Sequence, residues 1–180
     1  MNIFWLDNTL EDCAKYHCDK HVVKMPLELT QMLCTVHHRY GSPAPYKAVH
    51  EKHPCTLWIG ETIENYNDAW LLAHFLFKEY TYRFHKLHKS QDVLMQVASP
   101  PKKLVKHGKT KKPLAMPEDY QTSYSVEACY RAYYIGEKKN FCKWTNRSVP
   151  YFMADAMAQL EAIARVDKIT LRHDTYLEQK

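Results

Sequence analysis

The sequence predicts a mainly α protein: one compact helical domain over residues 1–180, carrying a long basic surface loop. Three observations predict it. Glycine is scarce at 4 residues in 180, and β-branched runs are few, which favours helices over an all-β design. Apolar residues recur at helical spacing through most of the chain. The one tract that breaks this rhythm, residues 99–120, is rich in proline and lysine. A chain of 180 residues can bury a core without staples.

Taken in order, NIFWL is a short apolar start, either a strand or an extended arm packed on the body. Thr9 and Asp12 have the spacing of a helix N-cap signal, and a helix is expected from Leu10 to about Met25. Pro26 should end or kink that helix, or open the next one in its first turn. Leu29, Met32, Leu33 and Val36 give a helical stretch over 27–39, and YGSPAP is a loop. From Leu57 to Phe84 one broad apolar stripe predicts a long helix with a break near Gly60, followed by a shorter helix over 90–97. The 99–120 tract reads as a surface loop that buries little. SVEACYRAYYIGEKKNF and YFMADAMAQLEAIARV are the last two helices, with WTNRSVP as the turn between them.

The net charge of +5 leans towards anionic partners such as nucleic acid. No apolar run reaches the length of a membrane span. The start has no basic region followed by an apolar run, so no secretory leader is expected. Six cysteines show no C-x-x-C spacing, which reads as reduced thiols in a cytoplasmic protein, host cytoplasm if the chain is viral. A monomer without cofactor is expected.

Cys13 to Leu33, CAKYHCDKHVVKMPLELTQML, is unlike the rest. His17 and His21 share a helix face, Cys13 and Cys18 are neighbours, and His37 and His38 lie further on. Zinc needs three or four converging ligands, and neither H-E-x-x-H nor paired C-x-x-C is present. The expectation is no metal, with Cys13, Cys18 and His17 packed. Glu28 stands alone among apolar neighbours. In the first turn of a helix opened by Pro26 it would be favoured by the helix dipole, and burial would raise its pKa towards that of a general base. The alternative is a plain helix glutamate paired with Lys24 or Arg39.

DKHVVKMPLEL, Asp19 to Leu29, resembles the catalytic helix of the phage-type pyrimidine-dimer DNA glycosylases, the dimer-specific endonuclease V family. The shared pattern is an aspartate, a histidine two positions on, and a glutamate–leucine pair closing the same eleven residues: Asp19, His21, Glu28 and Leu29. The family is small, basic and mostly helical, with an aromatic-rich C-terminal part that CYRAYYIGEKKNFCKW resembles. The resemblance implies an N-terminal α-amine as nucleophile. It attacks the sugar C1′ of a damaged pyrimidine, displaces the base and forms a Schiff base. Glu28 would assist that attack and the later β-elimination, and His21 would lie near the backbone phosphates. An α-amine titrates near 8, so roughly a tenth is neutral at pH 7. Asn2 is large enough to leave Met1 in place, so the implied amine is that of Met1. Leu27 stands where the family has an arginine, and about five more residues precede the motif.

The expected partner is duplex DNA with a flipped nucleotide. Candidate contacts are Lys20, Lys24, Arg39, Arg83, Arg131, Lys143, Trp144 and Arg147, with Lys102, Lys103 and Lys106 from the loop. Lys138 and Lys139 belong to the same tract of cations interleaved with Tyr130, Tyr133 and Tyr134, a composition that suits unstacked bases and their phosphates. The functional expectation is a DNA glycosylase, with or without an AP-lyase step, on a damaged or modified pyrimidine. Met1, Asn2, Asp19, His21 and Glu28 are its candidate catalytic set. Two alternatives stand beside it: a non-catalytic nucleic-acid-binding or partner-inhibiting viral protein, and a monofunctional enzyme on a modified base or RNA.

Overall fold

A computed structural model describes residues 1–177. Among them are seven α-helices and no strand: α1 (Leu10–Tyr16), α2 (Asp19–Arg39), α3 (Pro54–Ile59), α4 (Ile63–Phe84), α5 (Gln91–Gln96), α6 (Val126–Lys138) and α7 (Tyr151–Leu177). Short 3₁₀ turns lie at Glu118–Tyr120 and Lys139–Phe141. The chain forms two compact units. Residues 1–148 hold α1 to α6, and residues 149–180 hold α7. None of the described helices is long and apolar enough to cross a membrane.

The apolar start is an extended arm. Ile3, Phe4, Trp5 and Leu6 are all buried, so their backbone groups need partners that no sheet provides. Side chains supply them. Cys13 accepts from Leu6 N–H and donates to Phe4 O, both at 3.2 Å, and Arg131 Nε donates to Leu6 O at 2.7 Å.

The first expected helix boundary is misplaced. The break falls at His17–Cys18, and α2 runs straight through Pro26. At the break, His17 is extended and its ring Nδ1–H donates to Cys13 O at 2.7 Å, occupying a carbonyl the next turn would have needed. Arg83 finishes the cap: its guanidinium donates to Lys15 O and His17 O, each at 2.8 Å. Pro26 costs its helix about 3 kcal/mol. That is outweighed, because Val22, Met25, Leu29, Met32, Leu33 and Val36 are all buried around it, at roughly 1.5–3 kcal/mol each.

α4 is the central element, with α1 and α2 both packed on it. Thr62 caps its start by accepting from Asn65 N–H at 3.1 Å, and His85 ends it in a left-handed conformation at φ 53°. The break expected near Gly60 lies between α3 and α4. His37 of α2 meets Tyr66 of α4 at 2.9 Å, so the contact is polar as well as apolar.

The proline- and lysine-rich tract is the expected surface loop, and it is anchored at several points. Pro101 and Leu104 are buried, Ile63 N–H donates to Val105 O at 2.9 Å, and Trp58 Nε1–H donates to Thr110 O at 3.3 Å. Lys112 sits 4.5 Å over the Trp5 ring and pairs with Glu127 at 2.9 Å. The tract is a strap stitched across the body, and this stitching brings Ala115 to the N-terminal arm.

Candidate active site

Glu28 lies mid-helix on α2, nine positions after Asp19, so the helix dipole does not act on it as expected. Its environment is set by cations instead. Glu28 as a whole is 7% exposed. The Met1 α-amine stands 3.7 Å from Oε2, and Lys24 Nζ stands 3.3 Å from Oε1. Asn2 N–H donates to Oε2 at 3.1 Å.

The arm reaches Glu28 because Asn2 is clamped. Its Oδ1 accepts from Ile3 N–H at 2.8 Å, and its Nδ2 donates to Ala115 O at 2.8 Å. Tyr130 of α6 ties this knot. Its hydroxyl accepts from Ala115 N–H at 3.2 Å and donates to Pro113 O at 2.9 Å, with Asn2 Oδ1 at 3.2 Å. Sequence reasoning treated Asn2 as part of the reacting end. The side chain instead holds the end in place, and the Met1 amine is the group presented to Glu28.

The arm, α2, the strap and α6 enclose a pocket of about 280 Å³. Met1, Glu28, Lys24 and His21 line it, with Phe4 and Tyr133 as aromatic walls and Lys138 at the α6 end. Phe4 stacks on His21 at 4.5 Å between ring centroids. Tyr134 OH accepts from Cys18 N–H at 3.0 Å and is hydrogen-bonded to His21 Nδ1 at 2.6 Å. Burial first, then the charges of His17, Lys138 and Lys24, push the His21 pKa down to about 3. The ring is therefore neutral at pH 7 and keeps one nitrogen towards the pocket it lines.

His53 is a neighbour that sequence reasoning missed. Its Nδ1 accepts from Cys55 N–H at 3.2 Å, and its ring lies against the Met1 backbone. Burial chiefly, and then the α-amine, lower its pKa, which keeps a second positive charge away from the amine.

Other predicted site residues lie elsewhere. Asp19 does not line the pocket. It pairs with Arg83 Nη1 at 3.1 Å and accepts from Thr145 Oγ1 at 2.7 Å and Thr145 N–H at 3.0 Å, so its role is to hold the 143–145 segment. Arg83, predicted to meet DNA, is 2% exposed and spent on Glu79, Asp19 and the α1 carbonyls, because a buried guanidinium must use its donors internally. Arg147 pairs with Glu79 at 2.6 Å and stacks on Tyr82, and Arg131 pairs with Asp7 at 2.7 Å. Arg39 donates to Glu51 O. Trp144 Nε1–H donates to Tyr16 O at 3.0 Å. Lys20, Lys102, Lys103, Lys106 and Lys143 are exposed, and Lys20 lies 4.8 Å over Phe141, which itself packs on His21.

Among the described residues no group of three or more His, Cys, Asp and Glu side chains converges as metal ligands would. No family model, no curated protein and no solved structure matches the chain.

Proposed function

We propose that this protein is a DNA glycosylase with an AP-lyase step, acting on a damaged or modified pyrimidine. One observation carries the reading: the Met1 α-amine faces the buried Glu28 carboxylate at 3.7 Å, inside a pocket that also holds Lys24, Lys138 and the neutral His21. An amine and a carboxylate are what base displacement through a Schiff base requires.

In this scheme the neutral amine attacks C1′ of an extruded nucleotide. The new N–C1′ bond forms as the glycosidic bond breaks, and the base departs with a proton. Glu28 stabilises the positive charge that develops on the sugar and takes a proton from the attacking nitrogen. Ring opening leaves an iminium at C1′. Loss of a C2′ proton then breaks the C3′–O3′ bond, and water releases the product. Lys24, Lys138 and His21 are suited to the flanking phosphates. The damaged-pyrimidine preference rests on the sequence resemblance at Asp19, His21, Glu28 and Leu29.

Borohydride trapping tests this. The protein is mixed with duplex DNA carrying ultraviolet dimers, with abasic-site DNA and with undamaged DNA, then reduced and analysed by peptide mass. An adduct on the N-terminal peptide with the first two substrates, lost for the dimer substrate in Glu28→Gln, is the expected result. Salt-dependent binding without any adduct would remove the amine mechanism. The mass of the trapped peptide also identifies the residue that carries the amine.

A further inference from the structure

The six thiols are not alike. Cys13, Cys34, Cys55 and Cys129 are buried, and burial pushes Cys13 and Cys55 up to about 11. Such thiols are inert. Cys18 and Cys142 are held side by side by their neighbours. Asp19 N–H donates to Lys143 O at 2.8 Å, one residue beyond each cysteine. Thr145 bonds the Asp19 carboxylate at 2.7 Å, and Trp144 bonds Tyr16 O at 3.0 Å. Residues 142–145 are thus laced along 16–19, which sets Cys142 beside Cys18.

Cys18 is the N-cap of α2 and has no exposed surface, whereas Cys142 is half-buried. The Cys142 thiol first, then Tyr134 OH and the first amides of α2, stabilise a thiolate on Cys18 and hold its pKa below the ordinary thiol value. The same contact raises the Cys142 thiol, so the pair that has lost one proton keeps the other on Cys142 and exposes a Cys142 thiolate only when that proton passes to Cys18. The half-buried sulfur is the one a reagent can reach.

We propose that Cys18 and Cys142 form a thiol–disulfide site, which takes a small-molecule disulfide as oxidant and closes into an intramolecular Cys18–Cys142 bond. With the shared proton on Cys18, Cys142 attacks one sulfur of the oxidant. A mixed disulfide forms, the oxidant's S–S bond breaks, and one small thiolate leaves. Cys18 gives up its proton and attacks the Cys142 sulfur, expelling the second small thiolate. Two cysteine thiols are oxidised and one disulfide is reduced to two thiols, which take up the two protons. The bond joins the first turn of the helix bearing His21 and Glu28 to the segment just after the helix bearing Tyr134 and Lys138. It also closes a long loop, which restricts the unfolded chain. The site is independent of the glycosylase reading.

The test uses the whole reduced protein and oxidised glutathione, with remaining thiols alkylated and peptides mapped by mass. Expected are the loss of two hydrogens, one cross-linked peptide pair containing Cys18 and Cys142, a raised thermal midpoint, and reversal of both by dithiothreitol. Cys142→Ser abolishes the cross-link. The map of the unmodified sequence decides the matter even if that variant folds poorly. A cross-link through other cysteines, glutathione left on Cys142 without closure, or no oxidation at all would each overturn the proposal.

Discussion

Glu28 is one carboxylate with two cations and an amide N–H on it, at 3.7, 3.3 and 3.1 Å. Two ion pairs and one amide hydrogen bond compensate a buried charge that would otherwise be costly. The Asn2 amide and its side-chain clamp fix where the amine stands. Glu28→Gln keeps the size and loses the charge, so DNA binding should persist within a few-fold. Single-turnover base release should fall by roughly 10²-fold or more, the usual scale for a positioned acid or base. Equal losses in affinity and rate would instead mean that Glu28 only holds the pocket together. Lys24→Ala separates the two cations. It leaves the α-amine with Glu28 and removes a pocket charge that is 67% exposed, so its effect should appear in substrate affinity ahead of rate. Comparing KM with kcat for Lys24→Ala checks this.

At the scale of elements, the α1–α2 junction stores a pH dependence. Burial, as the first cause, pushes His17 down to about 4 and His21 to about 3. Both rings take up protons more readily in the unfolded chain, near 6.5. Their contribution is therefore complete above that value and is lost as pH falls towards their folded values. Each ring should cost on the order of 2 kcal/mol of stability by pH 5. Denaturant melts at pH 7 and pH 5 measure it, and a flat profile would show that the rings are not buried neutral. The strap makes a second test. Tyr130→Phe removes the hydroxyl that ties Ala115 and Asn2, and should cost roughly 1–3 kcal/mol. The trapping rate should fall while DNA affinity holds, which a purely structural role would not produce. These ties also mark what the sequence could reveal. His21 and Glu28 share one helix, so their spacing was legible within a short stretch. Tyr134 meets His21 across 113 positions and Tyr130 meets Asn2 across 128, and no local periodicity encodes such pairs. The Pro26 boundary misled for a related reason: a propensity of about 3 kcal/mol is visible locally, and the burial that outweighs it is not.

For the molecule as a whole, the net charge of +5 is a weak guide, because the lysines and arginines do different work. Lys109 pairs with Asp68 at 2.8 Å and Lys112 with Glu127 at 2.9 Å, so part of the lysine-rich strap is fastened to the body. Arg83, Arg131 and Arg147 are committed to carboxylates. What remains for a polyanion is the rim of the pocket, Lys138 beside a Lys24 already shared with Glu28, with Lys20 close by over Phe141, and the exposed Lys102, Lys103 and Lys106 on the strap. Each lysine that meets a phosphate should contribute about 0.9 to the slope of log K against log salt on duplex DNA. Lys138→Ala should therefore lower that slope by about one, and Lys24→Ala by less, because its charge is shared with Glu28. Lys109→Ala should leave it unchanged, since its charge is already spent on Asp68. Substituting Lys102, Lys103 and Lys106 together asks whether the duplex extends from the pocket onto the strap. A slope that falls by about three places DNA along both, whereas an unchanged slope confines it to the α2–α6 rim. Binding titrations at several salt concentrations on a duplex with one abasic site measure all of these. An equal fall for Lys109→Ala and Lys138→Ala would mean that only diffuse charge is being read, and the pocket would lose its place as the point where the nucleic acid enters.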